Sequence, residues 1–443
     1  MIISMRRFGV PVGVGILAAG LTAFARQAPP PLGSLVLPAG FHADVFAENV
    51  GNARMMALGP HGTVFVGSQF AGKVYAVVDS DGDHKADRVV TIATGLNQPN
   101  GVAMRKGALY VATASPLLRF DDIEAHLDAP PASVTVRDNL PNPNQGHSWK
   151  SIAFGPDDML YMSVGSTCNI CMPAAMTAAI VRMKPDGSGL EVFAEGVRNS
   201  VGFAWHPVTH EMWFTDNGRD MLGDDVPNDE LNIAPKAGLH FGFPYCHQGD
   251  VPDPEFGAQR ACATTEPPVL KLGAHVAAIG FTFYTGNMFP ASYKNAAIIA
   301  QHGSWNRSTP SGYRVMVART EGSRVTGYEP LVEGFLPGMT SGSAPGGWDA
   351  GRAAAGRPAD RRAADARWLN SDQRRPWQSP DPRQLQSVAR RNRSSEAQSC
   401  LTVMRASGSV SLPLLRQCRL REWCRRKHVP KSRSTIPGFK QRT

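Results

Sequence analysis

Charge, aromatic content and long apolar runs are all scarce in this chain. Only 19% of its 443 residues are charged and 8% are aromatic, while 44 Gly and 35 Pro punctuate it throughout. That balance excludes a coiled coil, a collagen-like repeat and a wholly disordered polymer. After a single N-terminal apolar stretch no second run approaches the ~20 residues that a membrane-crossing helix needs. Cysteine is sparse as well, with seven in all. The C-x-x-C at Cys168-Asn169-Ile170-Cys171 is followed by Met172, so the His required for haem attachment is missing. No second ligand pair completes a zinc site. A local disulfide is the expected state of this pair, and Cys246 and Cys262 are placed to staple the Pro/Gly-rich loop between them. Cys400, Cys418 and Cys424 have no assignable partner.

The formal net charge of +9 conceals two different halves. Residues 351–443 hold 22 Lys and Arg against 6 Asp and Glu, and the remainder holds 24 against 31. The basic charge therefore lies apart from the patterned sequence, and no nucleic-acid-binding domain is expected. At the other end, Arg6 and Arg7 precede a mostly apolar stretch from Phe8 to Leu21, and Ala23-Phe24-Ala25 supplies a small-x-small cleavage pattern. Residues 1–25 read as an export signal, residues 26–36 as a linker, and the mature protein as periplasmic or secreted with no stable membrane span. Disulfides persist in that compartment. From about Met339 the strand pattern stops, and residues 339–443 are expected to be a disordered basic tail. One reading of that tail is a basic interaction arm. The other, which accounts for the abruptness of the change, is a slipped coding frame.

The body repeats one phrase. It occurs as Met56-Ala57-Leu58-Gly59-Pro60 leading to Val64-Phe65-Val66, as Val102-Ala103-Met104 leading to Leu109-Tyr110-Val111, and as Ile152-Ala153-Phe154-Gly155-Pro156-Asp157 leading to Leu160-Tyr161-Met162. It returns as Phe203-Ala204-Trp205-His206-Pro207 leading to Met212-Trp213-Phe214, and more weakly as Phe281-Thr282-Phe283 leading to Ala297-Ile298-Ile299. The steps between copies are 46, 50, 51 and 78 residues. Each copy is an apolar strand, a Gly/Pro/Asp turn and a second β-branched or aromatic strand. Several strands per unit at that period identify β-propeller blades rather than a sandwich of hairpins. The long last step implies an insertion within residues 219–275.

The loop leading into each first strand carries polar residues in a shared register: Asn52, then Asn97 and Gln98, then His147 and Ser148, then Arg198 and Asn199. In a propeller these loops open on one mouth of the central channel, where convergent polar groups form a site for a small polar ligand.

At this point the sequence resembles a family. Gly146-His147-Ser148-Trp149-Lys150, Gly196-Val197-Arg198-Asn199, Thr215-Asp216-Asn217-Gly218-Arg219-Asp220, Asp229-Glu230-Leu231-Asn232, Gly242-Phe243-Pro244 and Gly303-Ser304-Trp305-Asn306-Arg307 occur in an order similar to the soluble quinoprotein sugar dehydrogenases, in particular the glucose/L-sorbosone dehydrogenase group. The resemblance covers about Leu37 to Gly338. It implies an all-β, six-bladed propeller over residues 37–338 that binds pyrroloquinoline quinone (PQQ) and Ca2+ and oxidises an aldose or a sugar aldehyde such as sorbosone. An external quinone or cytochrome would accept the electrons. His147 matches the general base, a role that imidazole suits near neutral pH. Arg198 and Asn199 match the pair facing the quinone, where a fixed guanidinium stabilises developing negative charge. Gln98, Trp305 and Arg307 fall near further cofactor contacts. The carbonyls of Gly218 and Arg219 match calcium ligands.

Independently, Asp79, Asp81, Asp83 and Asp87 stand at positions 1, 3, 5 and 9 of an EF-hand-like oxygen pattern, although Val90 occupies the twelfth position. An acidic hairpin turn has the same composition. Two departures bear on function. Gly146 stands where glucose-oxidising relatives have an acidic residue, leaving the orientation of His147 without an assigned partner. The final blade expected after Gly338 lacks its strand pattern, which implies an incomplete ring, weaker PQQ affinity and impaired activity. The rival readings are a lactonase-type propeller hydrolase and a non-catalytic binding propeller.

Overall fold

The computed structural model describes residues 32–143 and 147–336, together with Arg405–Ala406, whose backbone pairs antiparallel with Phe41–His42. The expected signal at 1–25, most of the linker, the remainder of the tail and its three cysteines, and Gly146 lie outside the described residues. Apart from five short 3-10 turns the described chain is all β, and none of its helices is long and apolar enough to cross a membrane.

Five four-stranded antiparallel sheets follow one another along the chain. The first holds Ala53–Leu58, Val64–Ser68, Val74–Val78 and Arg88–Ala93; the second holds Gly101–Arg105, Ala108–Ala112, Leu117–Phe120 and Val134–Arg137. The third holds Ile152–Phe154, Leu160–Val164, Ala179–Met183 and Glu191–Glu195, with Leu239–His240 added in parallel. The fourth holds Gly202–Trp205, Met212–Asp216, Asn228–Ala234 and Leu270–Ala274, and the fifth Ala278–Phe283, Ala297–Gln301, Arg314–Glu321 and Arg324–Val332. All five copies of the repeated phrase fall on the first two strands of a sheet. The insertion lies between the third and fourth strands of sheet four, closed by the Cys246–Cys262 disulfide.

These sheets are the blades of a propeller-like fold. First strands of successive blades run against one another, and apolar side chains fill the space between neighbouring sheets. A sheet between two neighbours is thus covered on both faces, which is why strands such as Ala108–Ala112 and Leu160–Val164 are buried at every position. The approach at the waist is close. A Cβ added to Gly202 of blade four would lie 2.4 Å from the Cα of Gly280 in blade five, so only glycine fits there.

The ring is open on one side among the described residues. In blades two to five, first-strand residues such as Val102, Ile152, Phe203 and Phe283 pack against the preceding blade. Their counterparts in blade one, Met56 and Leu58, are 41% and 70% exposed. Phe46, Ala47 and Val50 cover part of that face, and Phe41 packs on Phe289 and Tyr293 of blade five. The sixth blade expected after Gly338 falls outside the described residues.

Candidate active site

The loops leading into the blades are tied together by hydrogen bonds. Ser148 Oγ donates to Gln98 Oε1 at 2.7 Å, joining the inbound loops of blades two and three. The buried Lys150 donates from Nζ to the Ala114 carbonyl at 2.8 Å and to the Ser148 carbonyl at 3.3 Å. Ser166, at the end of the second strand of blade three, donates its N–H to the Arg198 carbonyl at 2.8 Å, joining blades three and four. Gln98, His147, Arg198 and Asn199 therefore lie on one linked set of loops at one mouth of the ring. Asn52 is used differently, because its Oδ1 accepts the N–H of Phe70 and shapes a turn.

His147 Nδ1 lies 3.0 Å from the Ser166 carbonyl and 3.1 Å from Ser166 Oγ. A carbonyl only accepts, and Ser166 Oγ already donates to the Cys168 carbonyl. Nδ1 therefore carries the proton, and Nε2 presents a lone pair with no hydrogen-bond partner among the described residues. Burial, reinforced by the nearby Arg198 charge and opposed by the Ser166 carbonyl, lowers the imidazole to about 4. At neutral pH it is an uncharged base. The partner that orients it is Ser166, which spacing alone did not single out.

Arg198 is only 3% exposed. Nε donates to the Asn169 carbonyl at 2.9 Å, Nη1 to the carbonyls of Asn217 and Gly218 at 3.0 and 2.7 Å, and Nη2 to Asn169 Oδ1 at 2.8 Å and Asp220 Oδ2 at 3.4 Å. Five donors meet five acceptors, so the guanidinium offers the mouth its charge and no free N–H.

Beneath lies a layer of buried carboxylates. Asp216 accepts the N–H groups of Arg198 and Asn199, and Asp229 those of Gly218 and Ala277. Burial raises both to about 7 against the pull of those bonds, and raises Glu230 to about 8 with the help of the Asp216 charge. Glu230 accepts from the Gln248 N–H and from Asn232 Nδ2.

The remaining expected residues are placed as follows. Trp305 is half exposed on the loop after the second strand of blade five. Arg307, on the same loop, donates to the Thr309 carbonyl and to Asp225 Oδ1, which anchors it to blade four. Gly218 gives its N–H to Asp229 and its carbonyl to Arg198, leaving that oxygen one lone pair. Arg219 pairs with the buried Asp253, which also bonds His247. The carboxylates of Asp79, Asp81 and Asp87 come within 4.8 Å of one another. Asp83 is outside that trio, and its Oδ1 accepts the Lys85 N–H.

Both anticipated disulfides, Cys168–Cys171 and Cys246–Cys262, are formed. Two further residues, Arg54 and Phe70, join Trp149 of the His147 motif without having been singled out by the sequence. Arg54 stacks with its Cζ 5.9 Å from the Trp149 ring centroid, and Phe70 meets Trp149 edge-on at 5.4 Å. Arg54 comes from blade one and Trp149 from blade three, so no local sequence pattern links them.

The profile of the TrAA12-like family matches residues 35–332. An uncharacterized protein of Borreliella burgdorferi is 32% identical over 317 residues, covering 68% of this chain and 82% of that protein. Among solved structures, the holo form of the pyranose dehydrogenase PQQ domain from Coprinopsis cinerea is similar with a TM-score of 0.58 at 19% identity, covering 69% of this chain and 87% of that one. The calcium structure of the Trichoderma reesei carbohydrate-active enzyme of family AA12 is similar with a TM-score of 0.58 at 19% identity, over 69% of this chain and 88% of that one. Fold and mouth geometry define a propeller with a half-buried imidazole and a buried guanidinium in one loop cluster. The chain belongs to the TrAA12-like family.

Proposed function

We propose that this protein is a PQQ-dependent sugar dehydrogenase, exported to the periplasm or beyond, that oxidises an aldose or a sugar aldehyde such as sorbosone. The observation that carries the reading is the His147 imidazole, held by Ser166 with Nε2 left available beside the buried Arg198 charge. The donor set suits an anionic planar quinone: Asn199 and Gln98 stand on joined loops, and Arg198 and Arg54 supply positive charge.

When bound, PQQ supplies the two-electron acceptor for the sugar carbon, and an external quinone or cytochrome reoxidises it. The protein supplies the rest. His147 Nε2 accepts the proton of the sugar hydroxyl, or of the hydrated aldehyde if sorbosone is the substrate, while Ser166 keeps the ring from turning. Arg198 holds positive charge where negative charge develops, and its own bonds need no rearrangement as that happens. Calcium has two candidate places. The Gly218 carbonyl retains a lone pair in a region where Asp216, Asp220 and Asp229 offset Arg198. The Asp79, Asp81 and Asp87 carboxylates form an all-oxygen set suited to a hard cation.

Within this reading the sequence after Gly338 lacks the strand pattern of a sixth blade, and among the described residues the blade-one face at Met56 and Leu58 is exposed. Export rests on the composition of the N-terminus. The lactonase-type alternative calls for carboxylates free to hold a metal at the mouth, whereas Asp216 and Asp229 each accept two backbone N–H groups.

The test is to purify the chain without residues 1–25, add PQQ and Ca2+, and follow dye reduction with a panel of aldoses and sugar aldehydes. Sugar-dependent reduction that requires PQQ supports the reading. Lactone hydrolysis without PQQ would replace it with the hydrolase. PQQ binding without turnover, restored to activity by grafting a regular sixth blade, would locate the fault in the tail.

A further inference from the structure

The Cys168–Cys171 loop does more than close a turn, because its interior residue Asn169 touches Arg198 twice. The Asn169 carbonyl accepts from Arg198 Nε at 2.9 Å, and Asn169 Oδ1 accepts from Nη2 at 2.8 Å. The same Oδ1 accepts the Asp220 N–H at 2.7 Å, and Asn169 Nδ2 donates to the Asp220 carbonyl at 3.0 Å. One asparagine thus holds both the guanidinium and the loop that carries its carboxylate partner. Asn169 lies inside the ring closed by that disulfide, and its carbonyl and its Oδ1 both meet Arg198. Ser166, two residues before the first cysteine, bonds the Cys168 carbonyl through Oγ and accepts His147 Nδ1. The loop therefore reaches both members of the proposed pair.

We propose that Asn169, presented by the Cys168–Cys171 loop, is the positioning residue that sets Arg198 against His147. The claim rests on the proposed reading of the site for its catalytic consequence, and on these contacts alone for its structural part. Arg198 has no donor left to search for a new partner, so its place is determined by the acceptors around it. Asn169 supplies two of the five, and the carbonyls of Asn217 and Gly218 and the carboxylate of Asp220 supply the others. Asn169 is the only one of those residues outside the 217–220 loop. Without it the guanidinium would be held by that loop alone, while Ser166 and Asp216 would still fix the Arg198 backbone, so the position of the charge relative to His147 would no longer be set by blade three.

The prediction separates positioning from mere stability. Asn169→Ala removes the Oδ1 acceptor and the Asp220 clamp while keeping the main-chain carbonyl; Asn169→Gln keeps both the amide acceptor and the amide donor and serves as the conservative rescue. In the apo-protein, NMR titration of the His147 ring responds to the Arg198 charge on top of the larger effect of burial, with no cofactor required. The expected result is that Asn169→Ala raises the His147 titration midpoint from its wild-type value and that Asn169→Gln restores it in large part. At saturating PQQ and sugar, Asn169→Ala should lose about 10- to 100-fold in kcat with little change in KM, as expected for a group moved by a fraction of an ångström.

A lowered Tm with an unchanged His147 titration and unchanged kcat would overturn the proposal. Should Asn169→Ala fail to fold, the Cys168→Ala/Cys171→Ala double variant makes the same two predictions, and an unchanged titration there would overturn it equally. Absence of PQQ-dependent activity in the wild-type chain would sink the functional reading instead, and the apo titration would still decide whether Asn169 places Arg198.

Discussion

Asp216 holds Arg198 by its backbone rather than by its side chain: Asp216 Oδ2 accepts the Arg198 N–H at 2.8 Å, while the guanidinium reaches across to Asn169, Asn217, Gly218 and Asp220. The carboxylate fixes where the arginine starts, and the carbonyls fix where it ends. Substitution by lysine is therefore not conservative. A Lys at this position has three donors for five acceptors and no planar fork. Arg198→Lys should destabilise the apo-protein by about 2–5 kcal/mol, because buried acceptors lose their donors while the neighbouring carboxylates keep their charge. Chemical denaturation of the two proteins measures this, and equal midpoints would show that the five bonds contribute little.

His147 is expected to act as a neutral base with a low titration midpoint. Its proton-accepting form is lost only below about 4, so kcat should be flat through neutral pH and fall as pH drops past that value. Removing the Arg198 charge should move the falling limb to higher pH, toward the ordinary histidine range. His147→Gln should cost about 100- to 10,000-fold in kcat while leaving PQQ binding largely intact. A pH profile breaking near 6.5 in the wild type would mean that the ring is solvated during turnover.

Gly165 gives a steric test of the same ring. A Cβ there would lie 2.4 Å from His147 Cβ, 2.7 Å from the His147 carbonyl and 3.3 Å from Asn199 Oδ1. His147 and Asn199 both lean on the space that glycine leaves. Gly165→Ala should push the imidazole off its Ser166 bond and cost about 100-fold in activity. The histidine NMR signals would register the displacement, and wild-type activity in the alanine variant would show that this contact yields easily.

The blades were legible because alternation and turn chemistry are local. Every copy of the phrase, from Met56 to Phe281, lies on a first strand, since each blade repeats the same apolar strand and the same Pro/Gly/Asp turn. The shared register of the inbound loops brought out Gln98, His147, Arg198 and Asn199 for the same reason. What holds those residues was not legible. Ser166 acts on His147, 19 residues away, between loops of one blade, Asn169 acts on Arg198, 29 residues away, across blades, and Arg54 reaches Trp149 from blade one to blade three. Such contacts depend on how sheets pack, and spacing in the chain does not encode them. The acidic motif shows the middle case: its composition singled out Asp79, Asp81, Asp83 and Asp87, but the turn brings together only three.

The trio of Asp79, Asp81 and Asp87 predicts a calcium response in the apo-protein. Ca2+ that binds the folded chain and not the unfolded one raises Tm with increasing concentration. The expected outcome is a Ca2+-dependent rise in Tm that chelation reverses and that Asp79→Asn/Asp87→Asn removes. A rise that survives the double substitution would assign it to the Gly218 region. No rise at any concentration would leave the trio as an acidic turn, held by the Gly82 and His84 N–H groups on Asp79 and the Ser80 N–H on Asp87.

Glu230 makes the stability of this fold depend on pH in a direction opposite to that of most carboxylates. Burial raises it from 4.5 to about 8. Between those values the folded chain binds a proton that the unfolded chain has released, so its contribution is fully present below about 4.5 and is lost as pH rises through about 8. Asp216 and Asp229, both raised to about 7, act in the same sense. Asn232 offers a means of holding that proton. Its Oδ1 is buried with no hydrogen-bond partner among the described residues, and turning the amide over would present that oxygen to a protonated Glu230. Glu230→Gln mimics the protonated carboxyl at every pH. The wild type should therefore lose stability relative to the glutamine variant as pH rises from 5 toward 8, by at most about 1.4 kcal/mol per pH unit, with no difference in slope below that window. Denaturation midpoints across the range measure it, and parallel curves for the two proteins would show that Glu230 is ionised in the folded chain throughout.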